Sequence, residues 1–137
     1  MKDLNSAGQL ILVFDGDCGF CTLMAAVLRR LDRRGHVRLL ACQDPAAREL
    51  TNVTRSDCLA AAWAFEPSGL RHRGAGAINA ALAHAQGWSF LMDWYALPPI
   101  GRLEDIVYRG VVWARRWLPG LTPYCQQHPE RCPAVRD

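Results

Sequence analysis

The chain has 137 residues, of which 50% are hydrophobic and 21% are charged, and its formal net charge is +3. This length and balance are typical of one globular domain with a buried core, and they exclude a disordered chain. The small positive charge does not indicate a nucleic-acid partner, so paired arginines such as Arg115-Arg116 are expected on solvated helix faces.

The first half of the chain predicts two strands that alternate with two helices. The run QLILVF, residues 9–14, is continuously apolar, as in a strand buried on both faces. After the loop DGDCG, a helix is expected that ends near Gly35, because apolar residues recur at helical spacing: Leu23, Ala26, Val27 and Leu31. HVRLLAC is the second predicted strand. A second helix follows, with Asp44 as its cap and Pro45 at its first position.

The next segment predicts a hairpin and a third helix. CLAAAWAF and GLRHRG are joined by the turn-forming EPSG, which indicates two antiparallel strands with Cys58 at the start of the first. AGAINAALAHAQG is expected to be a helix that Gly87 ends. The order β-α-β-α-β-β-α predicts an α/β, thioredoxin-like core over residues 9–87.

The C-terminal third is expected to add an aromatic helical extension over residues 88–118 and an irregular tail over residues 119–137. The chain should bend at Pro98-Pro99, and residues 99–117 should form one helix. Its apolar stripe is expected to pack on the core: Leu103, Val107, Val111 and Ala114. The tryptophans are interpreted mainly as core residues, and a wall around the dithiol is the alternative for Trp88, Trp94 and Tyr95. Charged residues interrupt the apolar extension, so no membrane span is expected.

The segment FDGDCGFC places Cys18 and Cys21 three positions apart where the first strand gives way to the first helix. A thiol at a helix N-terminus is stabilised as a thiolate, so Cys18 is the predicted attacking sulfur and Cys21 the resolving one. Asp15 is interpreted as a helix cap or as the carrier of the Cys21 proton. The N-terminus shows no export signal, which predicts a cytoplasmic protein that uses its thiols for chemistry.

The sequence FDGDCGFC resembles the signature of the DCC family of thiol-disulfide oxidoreductases, whose Asp and two Cys correspond to Asp15, Cys18 and Cys21. HVRLLACQD, GAGAINAAL and the aromatic extension resemble the remaining blocks of the family, so the likeness spans residues 9–118. The resemblance implies a thioredoxin-like fold and a dithiol activity without a cofactor. Its substrate would be a protein or small-molecule disulfide, and an external thiol or reductase would supply electrons. NVTRSDCLAA lacks the proline that thioredoxin relatives place before the third strand, so substrate docking should differ.

Two non-catalytic alternatives remain open at the level of the sequence. Cys125, His128 and Cys132 have a spacing that, with Cys18 or Cys21 as fourth ligand, suits zinc or copper, whereas Cys125 and Cys132 could instead form a second dithiol or hold the tail in place. In the second alternative, the aromatic extension docks a partner protein. The remaining cysteines, Cys42 and Cys58, are expected to be small buried hydrophobic residues without a reactive role.

Overall fold

The computed structural model describes residues 8–88, 90–115 and 117–132, and predictions for residues 1–7, 89, 116 and 133–137 lie outside it. The elements follow in the order β1 (Leu10–Phe14), α1 (Gly19–Leu31), β2 (Val37–Ala41), α2 (Pro45–Thr51), α3 (Arg55–Ala60), β3 (Trp63–Phe65), β4 (Arg71–Arg73), α4 (Ala75–Gln86), α5 (Phe90–Ala96), α6 (Pro98–Ala114) and α7 (Tyr124–Gln127). Across the described ranges, none of these helices has the length and apolar character needed to span a bilayer.

The sheet has the strand order β2-β1-β3-β4, with β1 parallel to β2 and antiparallel to β3. All five residues of β1 are buried, as its continuous apolar sequence predicts. Successive side chains of a strand point to opposite faces, so Leu10 and Leu12 join the cluster that contains α4 residues, whereas Ile11 and Val13 join the cluster beside α2 and α3. Helices therefore cover both faces, and the predicted thioredoxin-like α/β fold is confirmed.

The hairpin prediction is wrong for the first half of its first strand. Arg55–Ala60 forms α3, and the strand begins only at Trp63. Thr54 Oγ1 accepts the N–H of Asp57 at 3.2 Å, which caps the new helix. Cys58 therefore lies inside a helix, and alanine, a strong helix former, continues it at Ala60.

The boundaries of the first two helices were predicted with different success. Helix α1 ends at Leu31, earlier than Gly35, because Asp32 turns the chain toward β2 by accepting the N–H groups of His36 and Val37, each at 2.8 Å. Helix α2 begins as predicted, with Pro45 in its first turn and the Asp44 carboxylate accepting a backbone N–H.

The predicted packing of the long C-terminal helix is wrong for the first half of its apolar stripe, whereas Val111 and Ala114 are partly buried. Leu103 and Val107 of α6 are 62% and 57% exposed. The helix instead turns a mixed face inward, where Gly101 is buried against α5 and Glu104 accepts a hydrogen bond from Asn79 of α4 at 3.0 Å. A small residue and specific polar bonds thus decide its rotation.

The interpretation of the tryptophans as core residues is also wrong for most of them. Trp63 is partly buried beside the β1 cluster. The other tryptophans are substantially exposed, with values of 43%, 57%, 72% and 68%, respectively, for Trp88, Trp94, Trp113 and Trp117. The extension therefore carries an apolar outer surface in this chain.

The tail is more ordered than expected and folds back onto the loop between β1 and α1. The N–H of Leu121 donates to Gly19 O at 3.1 Å, and the N–H of Cys125 donates to Gly16 O at 2.9 Å. The Tyr124 ring meets Phe14 edge to face, with ring centroids 5.7 Å apart. Helix α7 thus lies in a segment that was predicted to be irregular.

Candidate dithiol site

The loop between β1 and α1 places the two thiols where the sequence predicts them. Cys18 is the N-cap of α1, with extended backbone angles, and its Sγ accepts the backbone N–H of Cys21 at 3.2 Å. The sulfur thereby satisfies one of the N–H groups that a helix start leaves unpaired. Both Cys18 and Cys21 are free thiols of intermediate burial.

Asp15 organises the loop and does not cap α1, so the capping alternative is wrong. Its Oδ1 atom accepts the N–H of Asp17 at 3.0 Å and the Nε2 group of Gln43 at 2.9 Å. Gln43 in turn accepts the N–H of Gly16 at 2.9 Å, which joins the loop after β2 to the loop after β1. The side chain of Asp15 is buried, so these bonds compensate for its lost hydration.

Arg115, which ends α6, lies in this site and not on a solvated face. Its Nη1 lies 3.7 Å from Cys21 Sγ, and its Nη2 lies 3.4 Å from Asp15 Oδ2. Nη2 also donates to the carbonyl oxygen of Leu59 at 3.3 Å. The prediction of a solvated surface is therefore wrong for Arg115, because the packing of α6 brings the end of this helix to the dithiol.

The sulfur of Cys21 is in an environment that favours the thiol. It packs against the apolar cluster that contains Phe14, Ala25 and Ala41. Burial, together with the hydrogen bond and charge of Cys18, raises the pKa of Cys21 to about 12, and the Arg115 guanidinium acts in the opposite direction. Cys21 consequently carries its proton near neutral pH.

A cleft of about 470 Å3 opens beside Cys18. Asp17, Phe20, Arg115 and Leu121 line it with Cys18, whereas Cys21 does not reach its surface. Cys18 therefore lines this cleft and Cys21 does not, although both thiols are partly buried. The aromatic wall considered for Trp88, Trp94 and Tyr95 is wrong, because none of the three lines this cleft.

The start of β3 is covered by α6. Ala62, the residue before the strand, donates its N–H to Tyr108 Oη at 2.7 Å. In thioredoxin relatives a proline precedes this strand, and here the sequence has none. The backbone N–H of Ala62 is therefore already bonded inside the chain, and the expectation of a different docking arrangement stays a prediction.

The other four cysteines are paired. Cys42 is bonded to Cys58 and Cys125 to Cys132, with Cα atoms 5.9 and 5.4 Å apart. Cys58 is buried as expected, whereas Cys42 is only partly buried, and the two residues are bonded to each other. The described ranges contain no group of three or more His, Cys, Asp or Glu side chains that could hold a metal ion. Cys125 and Cys132, two of the ligands considered for zinc or copper, are thus bonded to each other and not grouped with the other candidate ligands.

Comparison with known proteins agrees with this geometry. A family model described as DCC1-like thiol-disulfide oxidoreductase matches residues 12–121, a range that contains the dithiol, Asp15 and Arg115. Searches of curated proteins and of solved structures gave no significant match. The match covers most of the chain and confirms the family resemblance of the FDGDCGFC segment. The chain belongs to the DCC1-like thiol-disulfide oxidoreductase family.

Proposed function

We propose that the protein exchanges thiols and disulfides through Cys18 as the attacking sulfur and Cys21 as the resolving sulfur. The observation that carries this assignment is the asymmetry of the pair. Cys18 caps α1 and lines the open cleft, whereas Cys21 lies behind it against an apolar cluster. A nucleophilic thiol requires access and a stabilised thiolate; the cleft provides the access, and the start of a helix stabilises the thiolate.

In the proposed reaction, the Cys18 thiolate attacks one sulfur of a substrate disulfide and releases the other as a thiolate. Cys21 then attacks Cys18 Sγ, which releases the second substrate thiol and leaves a Cys18–Cys21 disulfide. Two electrons pass from the dithiol to the substrate, and an external thiol or reductase returns them. The Asp15 carboxylate and the Cys21 sulfur both contact the Arg115 guanidinium, so the two groups lie near each other. Asp15 is therefore proposed to accept the Cys21 proton.

The substrate class is a protein or small-molecule disulfide. The cleft volume of about 470 Å3 falls within the range of roughly 300–1,000 Å3 that small-molecule sites occupy. No nucleic-acid contact and no cofactor enter this mechanism. The cytoplasmic location expected from the sequence stays a prediction.

The test compares two single variants in a disulfide reduction assay with insulin or a small disulfide. Cys18→Ser should abolish reduction and the rapid labelling by a limiting alkylating agent. Cys21→Ser should retain the first attack and accumulate as a mixed disulfide with its substrate, visible by mass spectrometry. The double variant Cys42→Ser/Cys58→Ser is the control, because it removes two other sulfurs and leaves the dithiol in place.

The binding alternatives predict a different result. A metal site would lose zinc or copper equally in the Cys18→Ser and Cys21→Ser variants, without a trapped adduct. Equal labelling of both variants, together with the absence of the mixed disulfide, would refute the oxidoreductase assignment.

A further inference from the structure

The guanidinium of Arg115 is held by contacts within the protein and is not a freely solvated surface charge. Three groups hold its guanidinium: the Cys21 sulfur, the Asp15 carboxylate and the Leu59 carbonyl oxygen. Its side chain is 23% exposed, and that of Asp15 is 9% exposed. A planar guanidinium with several fixed partners has little freedom to turn away, so its charge stays beside Cys21.

The positive charge of Arg115 matters differently for the attack by Cys18 and for the later attack by Cys21. Within the described residues, the titratable groups near Cys21 include Cys18 and Asp15 from the loop, Tyr108 from α6, Arg115 directly after α6, and Tyr124 from the tail. Before the first attack, a Cys18 thiolate opposes a second negative charge on Cys21. Once Cys18 forms a mixed disulfide, that charge is gone and burial is the main remaining obstacle to ionisation of Cys21.

We infer that Arg115 is a catalytic residue of the resolving step, in which its guanidinium holds Cys21 as a thiolate for attack on the mixed disulfide. This inference rests on the proposed function. The Cys21 sulfur bonds to Cys18 Sγ, and the bond between Cys18 and the substrate sulfur breaks. The leaving sulfur takes the electron pair of the broken bond, and it ends as a thiol after receiving the proton that Cys21 gave to Asp15.

The inference is tested by mixing the reduced protein with one equivalent of dithiodipyridine, a neutral chromogenic disulfide. Attack by Cys18 releases the first chromophore, and attack by Cys21 releases the second. Arg115→Gln should slow the second release about tenfold near neutral pH, because an adjacent opposite charge shifts thiol ionisation by one unit or more. The first release should change by less than about twofold, because Cys18 has the helix N-terminus as well.

The pH profile separates an electrostatic role from a structural one. In Arg115→Gln, the midpoint of the second release should move about one unit toward alkaline pH, because the variant lacks the charge that favours the Cys21 thiolate. Arg115→Lys should restore most of the rate, and Arg115→Met provides a second neutral variant if the glutamine variant does not fold. Arg109→Gln is the matched control, because Arg109 is exposed on the same helix.

The possible results have distinct meanings. A wild-type protein that never releases the second chromophore would refute the proposed function itself. A normal second release in the wild type that is unchanged in Arg115→Gln and Arg115→Met would overturn only the role of Arg115. A slowing that Arg115→Lys does not relieve would also overturn it, since it would indicate displaced sulfurs and not a lost charge.

Discussion

Gly120→Ala tests whether the C-terminal tail packs against the loop between β1 and α1 and the start of α1. A Cβ atom at Gly120 would overlap the backbone of Gly19 and the nitrogen of Phe20. These are backbone atoms at the start of α1, so they have no side-chain freedom with which to yield. Gly120 is not among the glycines with positive φ, so the expected effect comes from the overlap and not from a strained backbone conformation.

The size of the effect follows from three contributions. Forcing an extra carbon into a filled space costs about 1–3 kcal/mol. Moving the segment also breaks the 3.1 Å bond from the N–H of Leu121 to Gly19 O, a loss of about 1 kcal/mol. The reduced freedom of the unfolded chain returns about 0.4–1 kcal/mol. We therefore expect the free energy of unfolding to fall by about 2 kcal/mol.

Urea unfolding at constant pH measures this change as a lower midpoint with an unchanged slope. Hydrogen exchange at the Leu121 and Cys125 amides should show lost protection, since both donate to the dithiol loop. Gly110→Ala is the matched control: a Cβ there meets nothing within 4 Å, so this helical substitution should stabilise the protein by about 0.5–1 kcal/mol. Equal midpoints for the two variants would refute the described seating of the tail.

Two further predictions concern α6 and the buried thiol. Tyr108→Phe should lower the free energy of unfolding by about 1–2 kcal/mol, because the N–H of Ala62 loses its acceptor. Leu103→Ala is the control, since Leu103 is exposed and its truncation should cost less than about 0.5 kcal/mol. Similar urea midpoints for the two variants would contradict this prediction. The pKa of Cys21 is raised from 9.0 to about 12, so the native state keeps a proton that the unfolded state loses. The free energy of unfolding should therefore fall as pH rises from 9.0 toward 12. If the urea midpoint of Cys21→Ala falls as much over this range as that of the wild type, the Cys21 thiol is not the cause.

The secondary structure was predictable where local signals agree with one another. The apolar run up to Phe14, the Asp44-Pro45 pair and Gly87 each specify an element or its end through backbone chemistry close in sequence. The hairpin prediction failed at Arg55–Ala60, whose short sequence RSDCLA has no strong preference between a strand and a helix. The Thr54 cap decides between them, and its bond forms only once the helix is present.

The site was predictable in its sulfurs and not in their neighbours. Cys18 and Cys21 are linked by local spacing, whereas Arg115 lies 94 positions from Cys21 in the sequence. Gln43 likewise joins Asp15 across 28 positions, because β2 pairs with β1. No periodicity or motif in the chain indicates such contacts, and the pairing of Cys42 with Cys58 depends on the same kind of long-range approach.

The sequence by itself determined the buried first strand, the dithiol at the start of a helix and the membership in an oxidoreductase family, since these depend on residues that are close along the chain or on recognisable motifs. Only the tertiary structure decided which face of α6 turns inward and hence where Arg115 lies. Rotation of an amphipathic helix is set by the shape and hydrogen bonding of the surface that it meets. In this chain Gly101 and Glu104 match that surface better than the apolar stripe does, and Leu103 faces solvent.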